Sequence, residues 1–185
     1  MNLNDFLIPT GDVCRRPGPF DRIVLSSRVR LARNLQDSPF PGRANKSERQ
    51  NLLETMKPVI ESLRSMKEGF SEELSKLKRL EKQILVERHL ISRELASKSQ
   101  GSAIVLSVDE TFCVMINEED HLRMQAILPG LQIKEAWKSM NKMDTMLESK
   151  LPIAFSSDFG YLTACPTNLG TGIRVSAMLH LPGLV

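Results

Sequence analysis

Apolar and polar positions change period several times along the chain, and each change marks an element. Ala103 to Leu106 and Thr111 to Ile116 are short, almost wholly apolar runs separated by Ser107-Val108-Asp109-Glu110, which predicts an antiparallel hairpin. After Pro129-Gly130, residues Ile133, Ala136, Trp137, Met140, Met143 and Leu147 recur at three- and four-residue steps. They predict an amphipathic helix whose Met and Trp stripe packs in the core. Upstream, Ile23-Val24-Leu25 begins an extended segment that runs into Ser26-Ser27-Arg28-Val29-Arg30-Leu31-Ala32-Arg33-Asn34. Pro39-Phe40-Pro41-Gly42 ends it. Asn45 and Glu48 then have the spacing of a capping box that opens a helix through Leu52, Leu53, Met56, Val59, Ile60 and Leu63. Pro58 should kink or split that helix. A second helical run is predicted from about Glu72 to Ile91, its Lys76, Lys78, Arg79, Lys82 and Arg88 forming a solvated basic face. Two more strands are expected around Ile153-Ala154-Phe155 and Tyr161-Leu162-Thr163, with a turn at Asp158-Phe159-Gly160. Residues 1–20, holding three prolines and two glycines, read as an irregular arm.

Composition narrows the picture only modestly. The 185 residues suffice for one domain with its own core, and 41% hydrophobic with 25% charged residues is ordinary for a globular protein. A net charge of +3 permits a phosphate-bearing ligand. No aromatic residues interleave the basic run, so nucleic acid is not an expected partner. Cys14, Cys113 and Cys165 are far apart and lack metal-ligand spacing, which fits a reducing cytoplasm. Neither a signal peptide nor a membrane span is expected.

Two charged stretches carry candidate chemistry. In an extended backbone Arg28 and Arg30 point to one face and Arg33 to the other. Paired guanidinium groups suit a polyanion such as a nucleotide triphosphate, although strand-edge charges in solvent would look the same. The second stretch is Asn117-Glu118-Glu119-Asp120-His121-Leu122-Arg123, directly after the apolar Phe112 to Ile116. Carboxylates ~4 Å apart near a surface repel by roughly 4 kcal/mol, so the cluster is either a solvated turn or a site for a cation. Downstream, Cys165-Pro166-Thr167-Asn168-Leu169-Gly170-Thr171-Gly172-Ile173-Arg174 reads as a flexible loop able to approach a ligand closely, without the Gly-Lys-Ser/Thr of a P-loop.

Four stretches in order, Ser26 to Arg30, Val86-Glu87-Arg88-His89-Leu90, Asn117 to Arg123 and Cys165 to Arg174, resemble the phosphagen (guanidino) kinases. The resemblance implies an α+β fold, an antiparallel β-sheet flanked by helices, with residues 21–185 as the N-terminal part of the catalytic domain. It implies phosphoryl transfer from ATP with Mg2+. Ser26, Ser27, Arg28, Val29 and Arg30 match one phosphate-binding segment, and Arg174, Val175, Ser176, Ala177 and Met178 another. His89 and Arg123 match further nucleotide contacts. Glu119 matches the carboxylate that engages the substrate guanidinium, and Cys165 the cysteine beside it. A guanidinium pKa above ~12 against ~4.3 for glutamate leaves a gap worth about 11 kcal/mol, so Glu119 would chiefly orient the nucleophile and accept its proton as the N–P bond forms.

Relatives acting on free creatine or arginine carry an all-helical domain ahead of the arginine stretch, whereas 25 residues precede Ser26 here. The resemblance is therefore to the bacterial branch that phosphorylates arginine in proteins. It implies protein substrates, and suggests an activator protein, stress-protease machinery, a role in stress response and a homo-oligomer. The family's domain also continues past the position matching Val185, bringing a second catalytic glutamate and another nucleotide-binding arginine. A fragment that binds nucleotide or a partner without catalysis is the competing expectation, and a free-guanidine kinase a third.

Overall fold

The computed structural model describes residue 13 and residues 16–98 and 100–184. Most of the expected arm therefore lies outside the described residues; its last part, residues 16–20, contains no helix or strand. Six strands form one sheet: β1 (Val24–Arg33), β2 (Phe70–Glu73), β3 (Ala103–Leu106), β4 (Phe112–Ile116), β5 (Leu122–Pro129) and β8 (Ile173–Leu179), in the order β2-β3-β4-β5-β1-β8. Every neighbouring pair is antiparallel. A second, two-stranded sheet joins β6 (Phe155–Ser156) to β7 (Gly160–Tyr161). The α+β architecture expected from the sequence is present.

Alternation along the central strands explains the layering. Ala103, Val105, Val114 and Ile116 enter a core with Leu53, Met56 and Ile60 of α1 (Lys46–Glu61) and Ala136, Met140, Met143 and Leu147 of α4 (Ile133–Glu148). Ile104, Leu106, Cys113 and Met115 point the other way, toward Leu85 of α2 (Arg79–Glu87) and Leu95 of α3 (Arg93–Ser97). Both faces of β3 and β4 are covered, so these strands are apolar throughout instead of alternating with polar residues.

The predicted hairpin and the capping box are both present: Glu48 N–H donates to Asn45 Oδ1 at 2.9 Å and Asn45 N–H to Glu48 Oε2 at 2.7 Å. Four expectations change. Helix α1 continues unbroken past Pro58, because the proline stands near its C-terminal end and buried Met56 and Ile60 anchor the turns on either side. Instead of one helix from Glu72 to Ile91, Phe70–Glu73 is an edge strand on β3, and α2 starts only where the Glu81 carboxylate accepts Lys78 N–H. Within that run Arg88 is not solvated; its guanidinium grips Glu110 of the β3–β4 turn at 2.8 Å, docking α2 on the sheet. Finally, Trp137 is 38% exposed, since the core face of α4 follows 136-140-143-147 and residue 137 falls beside it.

Candidate active site

Helices α2 and α3 cover only the β2-β3-β4 side of their face, so the β5-β1-β8 side is left open. Antiparallel partners share a face, and register sets Arg30 between Gln125 and Arg174, Arg28 between Ile127 and Ser176, and Arg123 opposite Ala32. Arg28, Arg30, Arg123 and Arg174 thus lie together on the open face. Ser26, Arg28, His89, Ile127, Ser176 and Met178 line a cleft of about 220 Å³. His89 reaches it from the residue pair after α2, in a left-handed conformation (φ 59°) held by Gln125, whose Nε2 donates to the His89 carbonyl at 2.9 Å.

The arginines oppose one another. Burial first, then the charges of Arg28, Arg174 and Arg123, push the Arg30 pKa down to about 10, with only Glu118 acting the other way. Arg30 Nε is buried without a hydrogen-bond partner. An anion on this face would satisfy that donor and relieve the repulsion.

The acidic turn between β4 and β5 is not solvated. Asn117, Glu118, Asp120 and His121 are each no more than 1% exposed. Asn117 (φ 55°) donates to the carbonyls of Arg49 and Gly101. Glu118 accepts from Ser92 and, at 2.6 Å, from Arg123 Nη1. His121 Nδ1 accepts Leu35 N–H at 3.0 Å, so Nε2 carries the proton and donates to the Pro39 carbonyl. Burial pulls the His121 pKa down, keeping the ring neutral. Glu119 alone of the three carboxylates stays open. Burial, then the neighbouring Asp120 charge, raises its pKa, while Arg123 Nη1, 3.5 Å away, partly offsets this.

Glu119 lines a cavity of about 510 Å³ with Phe40, Arg43, Glu94, Lys98 and Ala164. Ala164 precedes Cys165, and its N–H donates to Asp120 Oδ1 at 2.7 Å, which draws the Cys165 loop to the acidic turn. Cys165 is half-buried, its Sγ 3.0 Å from Thr167 Oγ1, and opens one turn of 3-10 helix, Pro166–Asn168. The loop closes on glycine: a Cβ on Gly172 (φ 64°) would stand 2.6 Å from the Ala32 carbonyl, and Tyr161 N–H donates to the Gly170 carbonyl at 2.8 Å.

Of the residues singled out from sequence, Ser26, Arg28, Arg30, His89, Arg123, Arg174, Ser176 and Met178 gather on the open face, with Ala177 completing its cleft. Glu119 lines the adjoining pocket, and Cys165 directly follows Ala164 of its wall. Three side chains do not join them. Ser27 is fully buried on the opposite face, donating to the Gly130 carbonyl and accepting Gln132 N–H, and Val29 is core. Val175 pairs with Val29 on that opposite face too. Sequence reasoning missed Asn34 and Asp120, which bond each other, and the Arg33–Asp144 pair, because only the packed fold brings their partners together. Among the described residues no cluster of three or more His, Cys, Asp or Glu could hold a metal ion, and no helix is long and apolar enough to cross a membrane.

A face of four arginines joined to an acidic pocket is a place for an anion beside a cation. Residues 51–185 match the ATP:guanido phosphotransferase C-terminal catalytic domain, and the chain belongs to that family. Among its relatives are the protein-arginine kinase of Pelotomaculum thermopropionicum, 50% identical over 170 residues (90% of this chain, 48% of the relative), and that of Brevibacillus brevis, 44% identical over 179 residues (96% and 50%). The chain thus spans about half the length of the curated relatives it matches. The fold is also that of a duplicated taurocyamine kinase from Schistosoma mansoni solved with bound transition-state-analogue components (TM-score 0.82, 26% identity, 99% of this chain and 26% of that one). A lombricine kinase shares it too, at TM-score 0.75 and 24% identity, over 94% of this chain and 53% of that one.

Proposed function

We propose that this chain supplies the first part of a protein-arginine kinase active site, in which the arginine face holds the phosphates of ATP and the Glu119 pocket holds the guanidinium of a substrate arginine. The reading rests on one observation: Arg123, a member of the arginine face, stands 3.5 Å from Glu119, so the two binding fields meet at one residue. Phosphoryl transfer is mainly positioning and charge stabilisation. Arg28, Arg30, Arg123 and Arg174 would neutralise the triphosphate, while Glu119 aligns the guanidinium by accepting its N–H bonds. As the terminal phosphoryl group leaves ADP and bonds to the guanidinium nitrogen, that nitrogen's proton passes to the Glu119 carboxylate. The raised pKa of Glu119 favours this acceptance. Magnesium fits as the nucleotide's own counter-ion, because it binds through substrate phosphates and few protein carboxylates. Cytoplasmic location, a role in stress response, an activator protein, stress-protease partners and a homo-oligomer accompany the reading through the family resemblance.

Because the chain spans about half of its relatives, a second reading is a nucleotide-binding piece without catalysis. Mg-ATP and an arginine-rich protein are incubated with the chain, and acid-labile phosphoarginine is read by mass spectrometry with Glu119→Gln as control. Product that disappears in the variant supports transfer at this site. Nucleotide binding without product supports the second reading.

A further inference from the structure

Asn34 lies just past the end of β1, 1% exposed, and its amide joins three segments. Oδ1 accepts His121 N–H at 2.9 Å, in the turn that carries Glu119. Nδ2 donates to Asp120 Oδ1 at 2.6 Å and to the Leu162 carbonyl at 3.0 Å, three residues before Cys165. Its backbone carbonyl accepts Ala154 N–H at 2.8 Å, at the start of the same loop. Asp120 Oδ1 shares its two bonds between Asn34 and Ala164 N–H, so the chain of contacts runs Asn34, Asp120, Ala164, Cys165. The position requires an acceptor for a backbone N–H and two donors for oxygens. A carboxamide of this length supplies both, while an ionised aspartate offers acceptors only and serine a single donor.

We propose that Asn34 is a positioning residue that sets the placement of Cys165 relative to Glu119, and so the shape of the guanidinium pocket. The importance of that placement for catalysis rests on the kinase reading; the placement itself does not. Buried just past the end of β1, Asn34 bonds to neither the arginine face nor the open carboxylate, so it acts through Asp120 and Ala164.

The test uses Asn34→Ala and Asn34→Ser in the full chain carrying Cys14→Ser, so that Cys165 is the accessible thiol and Cys113 stays buried. Amide hydrogen exchange is followed at Ala164 and His121, with Val105 and Val114 of the central strands as reference, together with the iodoacetamide rate of Cys165. Loss of the bridging bonds should speed exchange at Ala164 by about 10-fold, the loss of roughly one buried hydrogen bond, with Val105 and Val114 unchanged. The alkylation rate of Cys165 should shift at least about threefold as its surroundings loosen. In the phosphoarginine assay, kcat should fall while KM for ATP holds, because the arginine face is untouched. Unchanged exchange at Ala164 and an unchanged Cys165 rate would overturn the proposal. So would equal loss of protection at Val105 and Val114, which would mean that Asn34 serves the whole fold. Absence of phosphoarginine from the parent chain would count against the kinase reading, while exchange and alkylation still decide the role of Asn34.

Discussion

Replacing Arg33 by Met should be among the most destabilising single changes in this protein, although Arg33 belongs to the arginine run of β1. Its side chain crosses to the helix face and is 3% exposed, against 6% for its partner Asp144 on α4. Nε and Nη2 donate to the Asp144 carboxylate at 3.1 and 2.6 Å, and Nη1 donates to the carbonyls of Ala32 and Thr171 at 2.9 and 3.0 Å. The guanidinium carbon also stands 3.4 Å from the centre of the Tyr161 ring. The methionine leaves a carboxylate buried and unpaired, which costs about 3–5 kcal/mol, a large share of the roughly 5–15 kcal/mol that holds a domain folded. At a urea slope of about 2 kcal/mol/M the midpoint falls by about 1.5–2.5 M. Burial already raises the Asp144 pKa, with Arg33 opposing it, so losing the guanidinium raises it further. A folded-state carboxyl pKa above the unfolded value means that the folded state binds the proton more tightly. The cost is therefore full at neutral pH and shrinks as pH falls through the raised pKa. Urea titrations at about pH 7.5 and pH 5 should show the gap to the parent narrowing in acid. Adding Asp144→Leu should recover at least half of the loss, since the stranded charge is gone. A loss below about 1 kcal/mol, or one that is equal at both pH values, would refute the reasoning.

Two further changes separate the arginine face from the scaffold beneath it. Arg30→Met should leave the urea midpoint of the free chain unchanged or raised, because it removes a repelled, half-buried cation, yet weaken binding of a fluorescent ATP analogue about 10-fold or more. Ser27→Ala should do the reverse, costing about 1–3 kcal/mol by stranding the Gly130 carbonyl and Gln132 N–H while nucleotide affinity holds.

How much of this could be read beforehand depended on whether a residue's role was local. The β3–β4 hairpin, the Asn45–Glu48 cap and helix α4 are set by neighbours within a few positions, and all are found where the pattern put them, with only Trp137 displaced from the core face of α4. The split of Arg28 and Arg30 from Arg33 follows from strand alternation alone, and it holds. Phe70–Glu73 was unreadable because two glutamates in four residues favour strand only when β3 offers an edge to pair with. The burial of Glu118, Asp120 and His121 was equally hidden. Their partners Ser92, Asn34 and Leu35 come from elsewhere in the chain, and nothing in the heptapeptide distinguishes a partnered carboxylate from a solvated one.

That burial explains how adjacent glutamates come to differ. Glu118 is wholly buried and committed to Ser92 and Arg123, so it cannot receive a ligand without giving up its 2.6 Å pairing with Arg123. Its charge instead tethers one arginine of the arginine face to the base of the acidic turn. Glu119, one residue on at the same cavity, is 35% exposed where Glu118 is closed off, with its pKa raised by burial and by Asp120. Were both carboxylates open, Arg123 would be free to settle between them and quench the pocket. Because Glu118 holds Arg123 at 2.6 Å while Glu119 stands 3.5 Å away, the closer pairing is taken up by the fully buried carboxylate. Under the proposed kinase reading, the open one keeps its capacity for a guanidinium. Separating the two roles within a dipeptide requires a turn whose backbone is fixed, and the left-handed Asn117 with its two carbonyl partners provides the fixed end.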